Sequence, residues 1–174
     1  CHVFDDYWED IGTVKAFFDA NLQLTDEVPE FDFYEGDRPI YNRPDILPTA
    51  KLGQCLVTRS TIAAGCMVGD STLNRCVLSE RSIIGKGCKL ESVVMMGSDF
   101  YDDHRYQDIP RLGVGDGTVI ENAIIDKNAR IGKDVFLSPK GLQEGWVDEG
   151  ENVYVRDGIL IVTKNGVVKD GTKI

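Results

Sequence analysis

What these 174 residues lack narrows the field before any motif is considered. No apolar stretch reaches 18 residues, so nothing in the sequence reads as a helix crossing a bilayer. No Lys/Arg run interrupts a formal net charge of −10, made of 19 basic and 29 acidic residues. Surfaces for nucleic acid or anionic membrane draw their affinity from clustered cations that release counterions, so neither partner is expected. The five cysteines (1, 55, 66, 76 and 88) contain no CxxC pair to suggest zinc, and no signal peptide argues for an oxidising compartment. Reduced, intracellular thiols are the expectation. The chain opens at Cys1 without a methionine, which reads as a fragment. At 42% hydrophobic residues it is globular, and it is long enough to bury a core without disulfides.

What is there is a repeat. Residues 60–75, STIAAGCMVGDSTLNR, stack on 76–91, CVLSERSIIGKGCKLE, at an offset of 16. Small residues align (Ser60 with Cys76, Cys66 with Ser82, Thr72 with Cys88), as do Ile62 with Leu78, Val68 with Ile84 and Gly69 with Gly85. A third copy starts at Ser92-Val93-Val94 and is interrupted by DFYDDHRYQDIPRL, 99–112. Val114-Gly115 and Thr118 resume the pattern in a coil about one residue longer, and 123–138 forms a further copy with Ile125, Ile131 and Gly132 in register. Within each copy an apolar residue recurs every sixth position: Leu56, Ile62, Val68, and later Ile125, Ile131, Leu137. A helix would space them by three and four, and a half-buried strand would alternate them. The six-residue period is the hexapeptide signature of a parallel β-helix, with inward aliphatics, small residues where larger ones would clash, and glycine at corners. It predicts inward Ile62, Val68, Leu78, Ile84, Ile125 and Ile131.

The flanks differ. After Gly12-Thr13, residues Val14, Phe17, Phe18 and Leu22 fall at helical spacing, closed off by Pro29. Pro29, Pro39, Pro44 and Pro48 crowd the segment leading into the repeats, and 31–51 reads as an extended linker packed through Phe31, Phe33, Tyr34 and Tyr41. The final VYVRDGILIVTKNGVVKDGTKI reads as one or two closing strands with turns at Asp157-Gly158, Asn165-Gly166 and Asp170-Gly171. The expected layout is the end of one domain (1–30), a linker (31–51) and a β-helix (52–174).

The segment YWEDIGTVKAF (7–17), the linker motif PIYNRP and the coils containing AIIDKNARIG (123–132) and RDGILIVTKNGVVKDGTKI (156–174) together resemble glucose-1-phosphate adenylyltransferase. The likeness is to the C-terminal half of its plant and cyanobacterial branch and covers essentially the whole chain. The resemblance implies a mainly β fold: a left-handed parallel β-helix preceded by the last strand and helix of an α/β nucleotidyltransferase domain. It implies an enzyme that makes ADP-glucose and pyrophosphate from ATP and glucose 1-phosphate for glycogen or starch synthesis. The family's nucleotide-binding Gly-rich motif, its phosphate-contacting Arg and Lys and its main catalytic Asp belong upstream of residue 1, so the chain alone is expected to be inactive. A homo- or heterotetramer is implied, cytoplasmic in a bacterium or plastidial in a plant or alga.

The resemblance also assigns roles. Asp10 matches a family carboxylate that holds Mg²⁺, which takes one or two protein carboxylates and bridges phosphate oxygens; its ordinary reading is an acid near a helix N-terminus. Trp8 and Glu9 are wall and support beside it, and Asp5 and Asp6 are solvated. Lys127 and Lys164 match lysines that hold an anionic phosphorylated activator such as 3-phosphoglycerate, for which a flexible three-donor cation is suited. Taken alone they are solvated surface charge. Arg43 and Arg130 are candidates for a second phosphate contact, whereas Asp45 stands where the family's linker carries a base, and an acid there weakens an anion site.

Other features are expected to be structural. Gly113, Gly115 and Gly117 lie at repeat corners without the strand-to-helix context of a phosphate loop. Cys66, Cys76 and Cys88 fill small slots of the repeat. His104, inside the insert, could serve as the general base of a hexapeptide-repeat acyltransferase, the alternative enzyme class. A pure β-helix interaction module is the alternative outside catalysis.

Overall fold

Short strands separated by tight corners are what a six-residue apolar period gives once each coil hydrogen-bonds to the next. The computed structural model describes residues 3–34, 36, 40–41, 46–102 and 109–174, and over these it has that form. Helix α1 (Val14–Gln23) comes first. The early coils supply β1 (Lys51–Leu52), β2 (Leu56–Thr58), β3 (Thr61–Ile62), β4 (Met67–Val68) and β5 (Thr72–Leu78). Next are β6 (Ile83–Ile84), β7 (Lys89–Met95), β8 (Gly113–Val114), β9 (Val119–Ile125), β10 (Arg130–Ile131) and β11 (Phe136–Leu137). The chain closes with β12 (Val153–Arg156), β13 (Ile159–Val162) and β14 (Val167–Val168).

One sheet runs β1, β4, β6, β8, β10, β14, all parallel. The other runs β2, β5, β7, β9, β13 in parallel, with β3 beside β5 and β11 beside β9. Strands β5, β7 and β9 each bend in the middle, where Arg75, Ser92 and Asn122 take φ of 54°, 53° and 45°. The second sheet therefore wraps two faces of a parallel β-helix and the first makes the third. Of the six residues expected to point inward, Val68, Leu78, Ile84, Ile125 and Ile131 are buried in one core, and Ile62 packs against it, partly buried, near the first coil. Each fully buried aliphatic contributes roughly 1.5–3 kcal/mol relative to exposure.

Small side chains fill the slots between them. Backbone N–H groups of Cys76 and Cys88 donate to Ser60 Oγ and Ser71 Oγ, both at 3.0 Å, and that of Val135 to Thr118 Oγ1 at 3.2 Å. Buried hydroxyls thus satisfy donors that the turning backbone would leave orphaned. Burial pushes the Cys76 thiol up from 9.0 to about 11 and raises Cys66 and Cys88 as well. These are neutral packing thiols, not nucleophiles.

The uniform 16-residue offset needs correction after Ile84. Leu73 pairs with Leu90, a step of 17, because Gly85-Lys86-Gly87 has one residue more than Gly69-Asp70. Thr72 therefore lies exposed beside Lys89, and Ser71 takes the slot below Cys88. The closing strands also differ from expectation. β13 and β14 pair in parallel with β9 and β10, so they form one more coil of the β-helix. Only β12 is antiparallel, joined to β13 through Asp157-Gly158 with φ of 54° and 73°, the twist that suits a two-residue hairpin.

Helix α1 forms where its apolar spacing predicts, capped by Thr13, whose Oγ1 accepts the Ala16 N–H at 3.1 Å. Phe18 and Leu22 bury against Val94, Ile124, Ile159 and Ile161. Val77, Val94, Ile124 and Ile161 occupy one register position in successive coils and make an outward apolar stripe, which α1 covers. Among the described residues no helix is long and apolar enough to cross a membrane.

Candidate functional site

The register that stacks Ile125 on Val162 and Arg130 on Val167 also places Lys127 and Lys164 at one corner in successive coils. The turn there is made by Asn128 and Asn165, with φ of 62° and 59°, and the Asn165 N–H donates to the Lys127 carbonyl at 2.9 Å. Asparagine tolerates this left-handed geometry better than most side chains. The two lysines that the sequence singles out are thus brought together.

They do not face solvent alone. The insert leaves the β-helix just before this corner, and its first residue, Asp99, turns back into it. Lys127 Nζ donates to Asp99 Oδ1 at 2.9 Å, and Asn128 Nδ2 donates to Asp99 Oδ2 at 3.0 Å. The Asp99 N–H in turn donates to Asn128 Oδ1 at 2.9 Å. The hydrogen bond from Lys127, then that from Asn128, hold the Asp99 carboxyl below its ordinary value, and the charge of Lys164 acts in the same direction. Lys164 is exposed and has no ion-pair partner among the described residues.

Arg130, the candidate for a second phosphate contact, is held in an ion pair at the base of the insert. Its Nη1 and Nη2 donate to Asp102 Oδ2 and Oδ1, each at 3.0 Å, and Nη1 also donates to the Pro110 carbonyl at 2.9 Å. The Leu112 N–H donates to Asp102 Oδ2 at 3.0 Å. With the side chains only 8% and 15% exposed, this is a buried bidentate pair that clamps the base of the insert. The Tyr101 hydroxyl adds a bond to the Gly65 carbonyl at 2.9 Å. Arg43, Asp45 and His104 lie outside the described residues. The sequence reading missed Asp99 and Asp102 as partners; the only trace of them is a pair of acids three apart at the start of the insert.

The N-terminal candidates sit apart from this corner. Asp10 Oδ1 accepts the Gly12 N–H at 3.0 Å, just ahead of the cap Thr13, and Asp10 and Glu9 are exposed, as is Trp8. Tyr7 anchors the segment, its hydroxyl donating to Gln23 Oε1 at 3.1 Å and its ring stacked on Phe31 at 6.4 Å. The other Asp10 carboxylate oxygen has no backbone partner among the described residues. Among the described residues no group of three His, Cys, Asp or Glu could hold a metal ion, so an ion at Asp10 would take its remaining ligands from elsewhere.

The opposite kind of corner lies at Gly69, Gly85, Gly115 and Gly132. A Cβ on Gly115 would stand 2.6 Å from the Gly132 backbone, so only glycine lets these coils approach. Beside them Asp70, Asp116 and Asp170 each accept, through Oδ1 at 2.8 Å, the N–H of Gln54, Lys86 and Lys133 in the preceding coil. A shallow depression of about 220 Å³ lies here, between Gln54, Asp70, Ser71, Gly87 and Lys89.

Stacked parallel coils, an interrupting insert and a corner carrying two lysines define a hexapeptide-type β-helix domain. Residues 45–173 match the family described as the GLGC left-handed parallel beta-helix domain, and the chain belongs to it. Membership supports placing the chain with the C-terminal portion of ADP-glucose pyrophosphorylase, in a nucleotidyltransferase context.

Proposed function

We propose that this chain is the C-terminal part of glucose-1-phosphate adenylyltransferase, and that its Lys127–Lys164 corner takes an anionic phosphorylated effector. The observation that carries the reading is the stacking of these two lysines at one corner of a β-helix of this family. Two flexible ammonium groups one coil apart can share a phosphate or carboxylate, each with rotatable donors. In this reading ATP and glucose 1-phosphate bind mainly to residues outside the 174, and Asp10 lends one carboxylate to a divalent ion whose other ligands lie there too. The chain alone makes no ADP-glucose, and it assembles as one subunit of a tetramer.

Calorimetric titration of 3-phosphoglycerate into the chain tests the effector site. Each charge-assisted contact is worth roughly 1.5–3 kcal/mol, so Lys127→Ala and Lys164→Ala each weaken binding roughly 10- to 100-fold. Added salt weakens the wild-type binding, because the site is partly exposed. Wild-type affinity in both variants would leave the lysines as ordinary surface charge.

A further inference from the structure

We propose that Asp99 is a built-in anion occupying the Lys127–Lys164 corner, which an incoming phosphate must displace. The inference rests on the reading of that corner as an anion site and adds how the site is gated. Three observations carry it. Asp99 already makes the contact an anionic ligand would make, a hydrogen-bonded ion pair with Lys127 Nζ at 2.9 Å. Its carboxylate also accepts from Asn128 Nδ2, so both oxygens are held at the corner. The contact is partly open, with Lys127 and Asp99 side chains 44% and 45% exposed, which lets a solute compete for it.

The described ends of the insert are held so that this one side chain can yield while their backbone stays in place. Its base is fixed independently by the buried Arg130–Asp102 clamp and by the Tyr101 hydroxyl on the Gly65 carbonyl. The Asp99 backbone keeps its own bond to Asn128 Oδ1. Only the carboxylate needs to swing away. A ligand that meets an occupied site binds more weakly by the fraction of time the site is vacant. An internal carboxylate therefore sets a threshold: a phosphate, carrying close to two charges, competes with it where a singly charged carboxylate does not.

The test uses inorganic phosphate titrated into the chain, read by calorimetry and by the carbon-13 shift of the Asp99 side-chain carboxyl. Asp99→Asn keeps an oxygen to accept from Asn128 but removes the charge, and it is expected to tighten phosphate binding about tenfold. Asp19→Asn makes the same change of net charge on α1, where Asp19 pairs with Lys15, and it is expected to leave affinity unchanged. In the wild type, phosphate is expected to move the Asp99 carboxyl signal toward that of a solvated aspartate. Equal or weaker binding by Asp99→Asn, with binding still weakened by Lys164→Ala, would overturn the gating and leave the anion site standing. Equal tightening by Asp19→Asn would reduce the effect to net charge and overturn it as well. Failure of both the wild type and Asp99→Asn to bind phosphate would overturn the anion site itself.

Discussion

Two columns of charge climb this β-helix, and they are assembled by opposite rules. At the glycine corner Asp70, Lys86, Asp116, Lys133 and Asp170 follow one another coil by coil, so the sign alternates. Each aspartate also binds a backbone N–H of the coil before it, which makes the column part of the scaffold. At the other corner Lys127 and Lys164 stack with like sign and, among the described residues, bind no backbone group of the next coil through their side chains. Like charges placed directly opposite are destabilising, and relief comes from Asp99, 28 residues before Lys127 and outside the repeat. The alternating column is what coil stacking favours if nothing else is asked of it. The like-charged pair is a departure that stability does not explain, and that is why it, and not the glycine corner with its depression, reads as the site.

Substitutions can break or sharpen this contrast. The largest effect is expected from Arg130→Ala, because it removes both bonds of a buried bidentate pair with Asp102 together with the bond to the Pro110 carbonyl. The loss should be about 3–5 kcal/mol in urea unfolding, which a residue serving only a ligand would not give. Asp116→Lys would turn the alternating column into three consecutive lysines and remove the acceptor of the Lys86 N–H. About 2 kcal/mol should be lost, from the orphaned donor and the new repulsion together. Lys164→Ala, by contrast, should change the unfolding free energy by less than about 0.5 kcal/mol, as exposed substitutions usually do. A marked gain in stability on removing Lys164 would sharpen the contrast further, showing that the stacked pair is held at a cost.

The repeat was legible because burial is periodic: a side chain that must point inward every sixth residue leaves its mark whatever the corners do. Val68, Leu78, Ile84, Ile125 and Ile131 were placed in the core on that ground alone, and all are buried. The corners are where the reading slipped. One extra residue in Gly85-Lys86-Gly87 costs nothing in burial, so the apolar period gave no warning that the coil had lengthened, and Thr72 was set against the wrong partner. The last coil was mistaken for separate closing strands because 138–152 intervenes before β12 and β13. At the site, the lysines were legible through their motifs, and their stacking follows from register. Their acidic partners were not, since Asp99 and Asp102 reach Lys127 and Arg130 through an insert that obeys no period.

Helix α1 changes what kind of object the β-helix is. A stack of coils that touch only their neighbours can fray from an end one coil at a time, its stability a sum of local terms. Here Phe18 and Leu22 lie against Val94, Ile124 and Ile161, on three successive coils, and the Lys15 N–H donates to Asp157 Oδ2 at 3.2 Å. Residues near the beginning of the chain are thereby joined to its last coil, and that coil cannot peel away without uncovering the helix. The helix acts as a splint across the stack. It couples the coils it crosses, so the lysine corner, formed between the last two such coils, is braced by a segment more than a hundred residues before it in the sequence.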